Sequence, residues 1–329
     1  MPPQLVFPER ISLAQRPTPL QRLTFSLHAG PDVRLWCKRD DLTGSVLSGN
    51  KIRKLEYVMA DAMRKGADTL ITCGGLQSNH CRATALVAAM HDFECHLILR
   101  GESVAPADGN LLLSQLAGAN IQTFPVQTYQ RELTQLFSET ASELKKRGRR
   151  PYCIPTGASD GVGIWGYVAA AQEMAEDFAR HGIDNPLVVC AAGSGGTLAG
   201  LAAGLRVFAP QAEVLGVAVC DSAEYFQRRV SEDIAHAQSL FPDGELPSVE
   251  PVKVLEGYIG PGYALGYPEV FDVIASLAAA DGLVLDPVYT GKAFYGMLAE
   301  HKKGNIKQKD IVFVHTGGVF GLFPYKNNF

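Results

Sequence analysis

The sequence predicts an α/β fold in which helices cover both faces of parallel sheets. Short apolar segments alternate along the chain with segments whose apolar residues recur at helical spacing. The apolar segments are nearly continuous rather than alternating, which is typical of strands buried on both faces. The chain has 329 residues, and at roughly 150 residues per domain this length predicts about two domains.

Each element follows from its local pattern. Apolar runs predict strands at 35–38, 69–73, 95–99, 152–154, 187–192, 214–219 and 311–314. Helical spacing predicts helices at 51–65, at 83–90, at 130–147 and from about residue 197. The polar segment 222–254 contains three prolines and one glycine, and it predicts a helix followed by a long connection.

Composition excludes several classes of protein. The net charge of −4 provides no basic surface for nucleic acid. No apolar run approaches the roughly 20 residues that span a bilayer, and no secretory signal is visible. The seven cysteines form no C-x-x-C pair, so we expect reduced thiols in a cytoplasmic protein and no metal site.

Glycine-rich polar segments follow three of the predicted strands, where open α/β sheets place their ligands. Gly193-Ser194-Gly195-Gly196-Thr197 precedes a helix, so its N–H groups predict a phosphate site. Leu198 breaks the dinucleotide pattern G-x-G-x-x-G, and no lysine follows Gly200 as in a P-loop. A tight strand-to-helix turn is the alternative interpretation.

Two further segments carry candidate chemistry. Lys51 lies in the first turn of its helix, where the helix dipole favours the neutral amine that a Schiff base needs. An ordinary surface lysine is the alternative. Ser78, Asn79 and His80 open another helix and predict a carboxylate site, although simple helix capping would also explain them. Leu76 excludes the nucleophile elbow G-x-S-x-G.

Together these segments resemble one family, the pyridoxal-phosphate (PLP) dependent fold-type II group that contains D-cysteine desulfhydrase and 1-aminocyclopropane-1-carboxylate (ACC) deaminase. The matching runs occur in the family's order and span nearly the whole chain. They are Trp36–Asp41, Gly49–Glu56, Gln77–His80, Gly193–Thr197, Asp286–Tyr289 and His315–Gly318, with similar residues at 16–20 and 166–167.

The resemblance implies a role for each segment. Lys51 would hold PLP covalently, Asn79 would bond its ring hydroxyl, and Gly193–Thr197 would bind its phosphate. Ser78 and His80 would hold the substrate carboxylate together with Asn79 and Thr316, and Ser78 would assist catalysis. Tyr289 would lie against the ring, and Tyr263 would reach the substrate from the opposite wall. For Tyr263 alone, a buried core tyrosine is the stronger interpretation.

The resemblance also implies architecture. The fold would be tryptophan synthase β-like, with two open, twisted parallel sheets flanked by helices. Residues 1–54 and 165–329 would form a large PLP-binding domain, and residues 55–164 a small α/β domain. A homodimer is the family's expectation.

Two threonines point to a reaction within the family. The position after Tyr289 faces the ring nitrogen in these enzymes and is glutamate in ACC deaminases, whose later motif reads His-Leu-Gly-Gly. Here the two positions are Thr290 and Thr316. A hydroxyl cannot keep the nitrogen protonated as a carboxylate does. Without a protonated nitrogen, the PLP ring withdraws electrons less strongly from the substrate. This weaker electron withdrawal is sufficient for a good leaving group such as thiolate, so we expect elimination from D-cysteine.

Other functions remain open at this stage. ACC deaminase and L-cysteate sulfo-lyase use the same scaffold, and the segment 156–165 departs from the family's pattern. A PLP-scaffold binding protein without activity is a second class. An NAD-linked oxidoreductase is a third class, and it is supported only by the glycine cluster and Asp221. The dinucleotide pattern G-x-G-x-x-G that this class requires is missing.

Overall fold

Ten strands form the two sheets of the computed structural model, which describes residues 5–25, 33–102 and 106–329. In chain order they are β1 (Leu20–Arg22), β2 (Arg34–Lys38), β3 (Thr69–Gly75), β4 (Glu94–Arg100), β5 (Asn120–Phe124), β6 (Pro151–Cys153), β7 (Leu187–Ala192), β8 (Glu213–Ala218), β9 (Lys253–Leu255) and β10 (Asp310–Val314).

The helices alternate with these strands. They are α1 (Asn50–Arg64), α2 (Asn79–Met90), α3 (Gly109–Leu116), α4 (Val126–Lys146), α5 (Trp165–His181), α6 (Gly196–Phe208), α7 (Ala223–Leu240), α8 (Pro268–Asp281) and α9 (Thr290–Lys302). All predicted helices are present, although α2 begins four residues before the predicted residue 83.

The strand pairing confirms the predicted fold class. The larger sheet has the order β1-β2-β10-β7-β8-β9 and the smaller sheet the order β5-β4-β3-β6. All pairs are parallel except the edge pair of β1 and β2. Parallel neighbours need long crossovers, and the helices supply them.

Buried side chains of the larger sheet alternate between two cores. Val188 of β7 and Val312 of β10 join the core that contains much of α1, α5 and α6. Their neighbours Val189 and Phe313 join the opposite core with α8 and α9. Helices therefore cover both faces, which explains the continuous apolar runs in the sequence.

The two-domain division stays a prediction. All four strands of the smaller sheet fall between residues 69 and 153, within the proposed small domain. However, the proposed boundary between residues 54 and 55 falls inside α1, a continuous helix.

A buried charge network fixes α1 against the larger sheet. The Arg53 guanidinium donates two hydrogen bonds to the Asp40 carboxylate, at 2.9 and 2.8 Å, and it also donates to Glu173. The Tyr167 hydroxyl donates to Asp40 at 2.6 Å. Arg53 and Asp40 are both almost fully buried, so each charge depends on its partner for compensation.

In the described ranges, no helix combines the length and the apolar character that a membrane crossing requires.

We expect Arg53→Met to destabilise the protein by about 3–5 kcal/mol, because it leaves the buried Asp40 carboxylate without its cation, whereas Glu173 keeps its ion pair with Lys38. Urea unfolding followed by circular dichroism measures the loss. Arg131→Met is the matched control, since Arg131 is exposed and pairs only with Glu132, and its effect should stay within about 0.5 kcal/mol. Equal midpoints for the two variants would contradict this account of the network.

Candidate active site

A cavity of about 600 Å³ opens where the carboxyl ends of both sheets meet. The ends of β3, β4 and β7 and the residues after β8 and β10 contribute to its wall. Most of the predicted site residues line it together: Lys51, Ser78, Asn79, His80, Gly193, Ser194, Gly195, Thr197, Tyr263, Tyr289 and Thr316. Of the predicted set, Gly196 and Thr290 are absent from the wall.

Contact between two backbone segments fixes the start of α1, which carries Lys51. Asn50 N–H donates to the Thr316 carbonyl at 3.1 Å. Gly49 has a φ of +97°, and a Cβ there would lie 2.6 Å from the same carbonyl oxygen. Gly317, with a φ of +85°, approaches Gly49 so closely that its own Cβ would lie 2.8 Å from the Gly49 Cα. Glycine is required on both sides of this contact.

The Lys51 amine lies at the cavity wall beside another glycine. A Cβ at Gly157 would lie 3.0 Å from Lys51 Nζ and 2.4 Å from Ser194 Oγ. Burial lowers the pKa of Lys51 from 10.5 to about 8, because the surrounding protein disfavours the charged form. The amine is therefore partly neutral near pH 8, as a nucleophilic lysine must be.

The segment from Gly193 to Thr197 forms a cradle at the start of α6. Gly195 has a φ of +90°, and the free N–H groups of the first helical turn favour an anion. Thr197 Oγ1 accepts a hydrogen bond from Asn50 Nδ2 at 2.9 Å, which ties the cradle to the start of α1.

Gly196 supports the cradle from behind. Its N–H donates to Ser159 Oγ at 3.1 Å, and Lys54 Nζ donates to the same oxygen and to the Gly157 carbonyl, both at 3.1 Å. The divergent segment 156–165 therefore does border the cavity, through Thr156, Gly157 and Ser159.

The start of α2 presents free donors to the cavity. Ser78 Oγ accepts a hydrogen bond from Cys81 N–H, so its hydroxyl hydrogen remains available. Asn79 Oδ1 accepts from Asn110 Nδ2 at 3.0 Å, which leaves the Asn79 amide N–H groups free to donate. Ser78 combines helix capping with an open donor, so capping does not exclude a binding role.

His80 is held as a neutral ring. The Thr72 hydroxyl donates to the Ile154 carbonyl, so at 2.8 Å the His80 Nε2–H must donate to Thr72 Oγ1. His80 Nδ1 is then an acceptor, and it has no partner among the described residues. Burial lowers the pKa of His80 well below its usual value.

Two tyrosines of the cavity wall meet through their hydroxyl groups. The hydroxyl oxygens of Tyr263 and Tyr289 lie 2.5 Å apart. Burial raises the pKa of both hydroxyls. Gly193 makes room for the Tyr289 ring, since a Cβ there would lie 2.9 Å from Tyr289 Cε1.

Lys292 positions the loop that carries Tyr263. Its buried ammonium donates to the Ile259 carbonyl at 2.7 Å and to the Gly262 carbonyl at 2.9 Å. Lys292 lies in the first turn of α9, and α9 begins directly after Tyr289. The start of this one helix therefore fixes the positions of both tyrosines. Burial lowers the pKa of Lys292 to about 8.

Thr290 is not part of the cavity wall, and its role at the ring nitrogen stays a prediction. Its hydroxyl donates to Asp286 Oδ1 at 2.7 Å and accepts the Asp286 N–H at 2.8 Å, and the residue is fully buried outside the wall. The Asp286 carboxylate also accepts the N–H groups of Val288, Tyr289 and Thr290. Thr290 thus helps Asp286 hold the turn that presents Tyr289, and Thr316 is the threonine that lines the cavity.

Sequence reasoning missed several wall and support residues. Gly157 lies in a segment without a recognisable motif, and Arg100 ends a strand whose apolar run stops at Leu99. Lys54 lies within the matching run Gly49–Glu56, and Lys292 follows the run Asp286–Tyr289 by three residues. Gly101 beside Arg100 and Gly291 beside Lys292 were the available local signals for a close backbone approach.

Known proteins resemble this chain over nearly its whole length. A family model described as "Pyridoxal-phosphate dependent enzyme" matches residues 11–317. The D-cysteine desulfhydrase of Klebsiella pneumoniae (strain 342) is 41% identical, over 96% of this chain and 96% of that protein. The mitochondrial bifunctional D-cysteine desulfhydrase/1-aminocyclopropane-1-carboxylate deaminase of Arabidopsis thaliana is 39% identical, over 95% of this chain and 79% of that protein.

A solved structure has the same fold. A crystal structure of an ACC deaminase homologue is 36% identical and superposes with a TM-score of 0.87, over 97% of this chain and 94% of that chain. The fold-type II architecture expected from the sequence is confirmed.

We expect competitive acetylation of the cofactor-free protein to show half-maximal labelling of Lys51 near pH 8, because burial disfavours its charged form. The labelling rate should rise with pH up to that point and then level off. Mass spectrometry of the Lys51 peptide across pH 6–11 measures it, with exposed Lys145 as the labelling control. A Lys51 profile that overlaps that of Lys145 would show that the amine is not desolvated.

We expect Lys292→Met to release the loop at 256–267, because two hydrogen bonds from a charged donor are lost, each worth about 1.5–3 kcal/mol. Hydrogen exchange of peptides from this loop should accelerate at least about tenfold. Lys302→Met removes an exposed lysine from the end of the same helix and should leave the exchange unchanged. Equally slow exchange in both variants would remove Lys292 from this role.

Proposed function

This chain belongs to the family of pyridoxal-phosphate dependent enzymes, and on that premise we propose that it deaminates a small β-substituted amino acid by elimination. Our specific proposal is the conversion of D-cysteine to pyruvate, hydrogen sulfide and ammonia. The observation that carries it is a partly neutral lysine amine between an anion cradle and a second set of free donors, all facing one cavity.

The residues present fit PLP. Lys51 offers a desolvated amine, and the missing side chain of Gly157 allows the backbone to approach its nitrogen closely. The cradle from Gly193 to Thr197 would hold the phosphate, and the free amide of Asn79 would bond the ring hydroxyl. Tyr289 would lie against the ring. When bound, PLP supplies an electron sink for the Cα of an amino acid.

Lys51 would also move the proton in the reaction. With its pKa lowered to about 8, Lys51 Nζ can accept a proton from the substrate Cα near neutral pH, because a catalytic base works best with a pKa close to the working pH. The dipole of α1 opposes a cation at this position and favours the same neutral state.

Ser78 and its helix start would orient the substrate. The Ser78 hydroxyl and the N–H groups of the first turn of α2 favour a carboxylate. Tyr263 and Tyr289 share one short hydrogen bond, so the pair holds a hydroxyl proton at the opposite wall, where it can be donated to the substrate or a leaving group. The Lys292 contacts with the Tyr263 loop would keep this pair in place.

Two features favour D-cysteine over ACC. Position 290 carries no carboxylate, and the Asp286 carboxylate is saturated by hydrogen bonds from its own turn. Thr316 lines the cavity at the position where ACC deaminases have leucine. The Klebsiella relative is named D-cysteine desulfhydrase and the Arabidopsis relative carries both activities in its name. ACC deamination is therefore the second candidate.

We further propose that the protein acts in the cytoplasm as a homodimer. All seven cysteines are free thiols, which suits a reducing compartment. The dimer rests on the family's expectation.

The reaction can be tested by measuring 2-oxo acid release from D-cysteine, L-cysteine, L-cysteate, β-chloro-D-alanine and ACC. We expect pyruvate from D-cysteine to give the highest kcat/KM. Lys51→Ala should lower that value by more than about 10²-fold, since both the covalent anchor and the base are lost. It should also remove the visible absorbance of the bound cofactor.

The outcomes separate the candidates. 2-Oxobutyrate from ACC as the best product would overturn the D-cysteine assignment in favour of ACC deamination. A coloured and active Lys51→Ala protein would contradict the role of Lys51. Lys145→Ala, which alters an exposed lysine far from the cavity, should keep full activity.

A further inference from the structure

Arg100 lies on the cavity wall at the end of β4, and none of the roles described above uses it. It pairs in register with Gly75, the last residue of β3, whose missing side chain leaves space beside it. The Gly75 carbonyl accepts the Ser78 N–H at 3.0 Å, so this register places Arg100 beside the strand end that leads into the start of α2.

Two aromatic rings fix the guanidinium in place. Arg100 Cζ lies 4.4 Å from the centroid of the Tyr263 ring and 5.7 Å from that of Tyr129. Cation–π contact of this kind attracts the cation without using its N–H donors. Arg100 is therefore oriented while its hydrogen-bonding capacity remains open.

The charge of Arg100 is not neutralised by an ion pair in the described part of the chain. The other arginine on the wall, Arg229, pairs with Asp233 at 2.7 Å and with Glu232 at 3.0 Å. At short range the Arg100 guanidinium contacts the rings of Tyr263 and Tyr129. A partly buried guanidinium without an anion is costly unless a ligand supplies the anion.

The cavity thus has three regions that favour negative charge. The cradle from Gly193 to Thr197 and the start of α2 account for a phosphate and for a substrate carboxylate. Arg100 is the third of these regions. It lies against the Tyr263 ring, apart from the cradle.

We propose that Arg100 binds a negatively charged β-substituent of the substrate, so that the enzyme prefers amino acids whose side chain is a thiolate, a sulfonate or a similar anion. This inference rests on the proposed function and specifies its substrate class. The planar guanidinium of Arg100 would donate hydrogen bonds to the anionic group of the substrate side chain. The Tyr263 ring would hold the guanidinium in the required orientation.

The probes are two unreactive ligands of matched shape. 3-Sulfopropanoate has a carboxylate and a sulfonate, whereas 3-(methylsulfonyl)propanoate replaces the sulfonate with a neutral sulfone. Neither has an amine, so neither can be turned over. Calorimetric titration of the holoenzyme with each gives a ratio of dissociation constants that reports the charge alone.

We expect the sulfonate to bind at least about tenfold more tightly than the sulfone, as a charge-assisted hydrogen bond predicts. In Arg100→Met the ratio should fall to about one, and Arg100→Lys should retain part of it as a point charge. Arg147→Met is the matched control, because Arg147 lies near Glu94 at the opposite end of β4, and its ratio should equal that of the unaltered protein.

Three results would overturn the proposal. A ratio near one in the unaltered holoenzyme would show that the site does not distinguish the charged ligand from the neutral one. This measurement does not depend on the folding of any variant. An unchanged ratio in Arg100→Met would place the selectivity elsewhere. Equal weakening of both ligands in Arg100→Met would mean that Arg100 only steadies Tyr263.

Binding of these probes is independent of turnover. If D-cysteine proves not to be the substrate but the two probes still differ in their dissociation constants, the anion subsite is retained. If the enzyme is active on D-cysteine but the two probes bind equally, only the anion subsite is rejected.

Discussion

The close backbone contact between the start of α1 and the end of β10 is the constraint on which the site depends. Gly49 and Gly317 touch along their main chains, and Asn50 N–H bonds the Thr316 carbonyl. A side chain at either glycine would force the two segments apart and displace Lys51 from the cavity. One turn further along α1, Arg53 and its carboxylate partners hold the same helix in place, so the position of the amine is determined from both sides.

Three lysines with a lowered pKa lie near the site, and their surroundings give them different tasks. Lys54 donates to Gly157 and Ser159 and supports the cradle. Lys292 donates to two carbonyls of the Tyr263 loop. Lys51 has neither set of partners in the part of the chain that the structure describes, and it lines the cavity. Burial alone therefore does not identify the reactive amine. What distinguishes Lys51 is a desolvated nitrogen that uses none of its hydrogen-bonding capacity on those residues.

The sequence predicts the sheet strands with long apolar runs and the segments that form the wall, because apolar periodicity and glycine-punctuated strand ends are local signals. It misses β5, whose Asn120, Gln122 and Thr123 are polar at an exposed edge, and the three-residue strands β1 and β9. The role of Thr290 at the ring nitrogen stays a prediction from the resemblance, and the structure adds the hydrogen bond from its hydroxyl to Asp286. Arg100, Gly157 and Lys292 come into the site only through strand register and loop packing, which one-dimensional patterns do not contain.

The central claim is that the nitrogen at position 51 holds the cofactor, and borohydride reduction of the holoenzyme tests it most directly. Reduction fixes the cofactor to the nitrogen that carries it, and peptide mapping by mass spectrometry then identifies the residue. The account predicts the modification on the peptide that contains Lys51, in about one copy per chain. Modification of Lys54 or Lys292 instead, the other two lysines with a lowered pKa at the site, would contradict it.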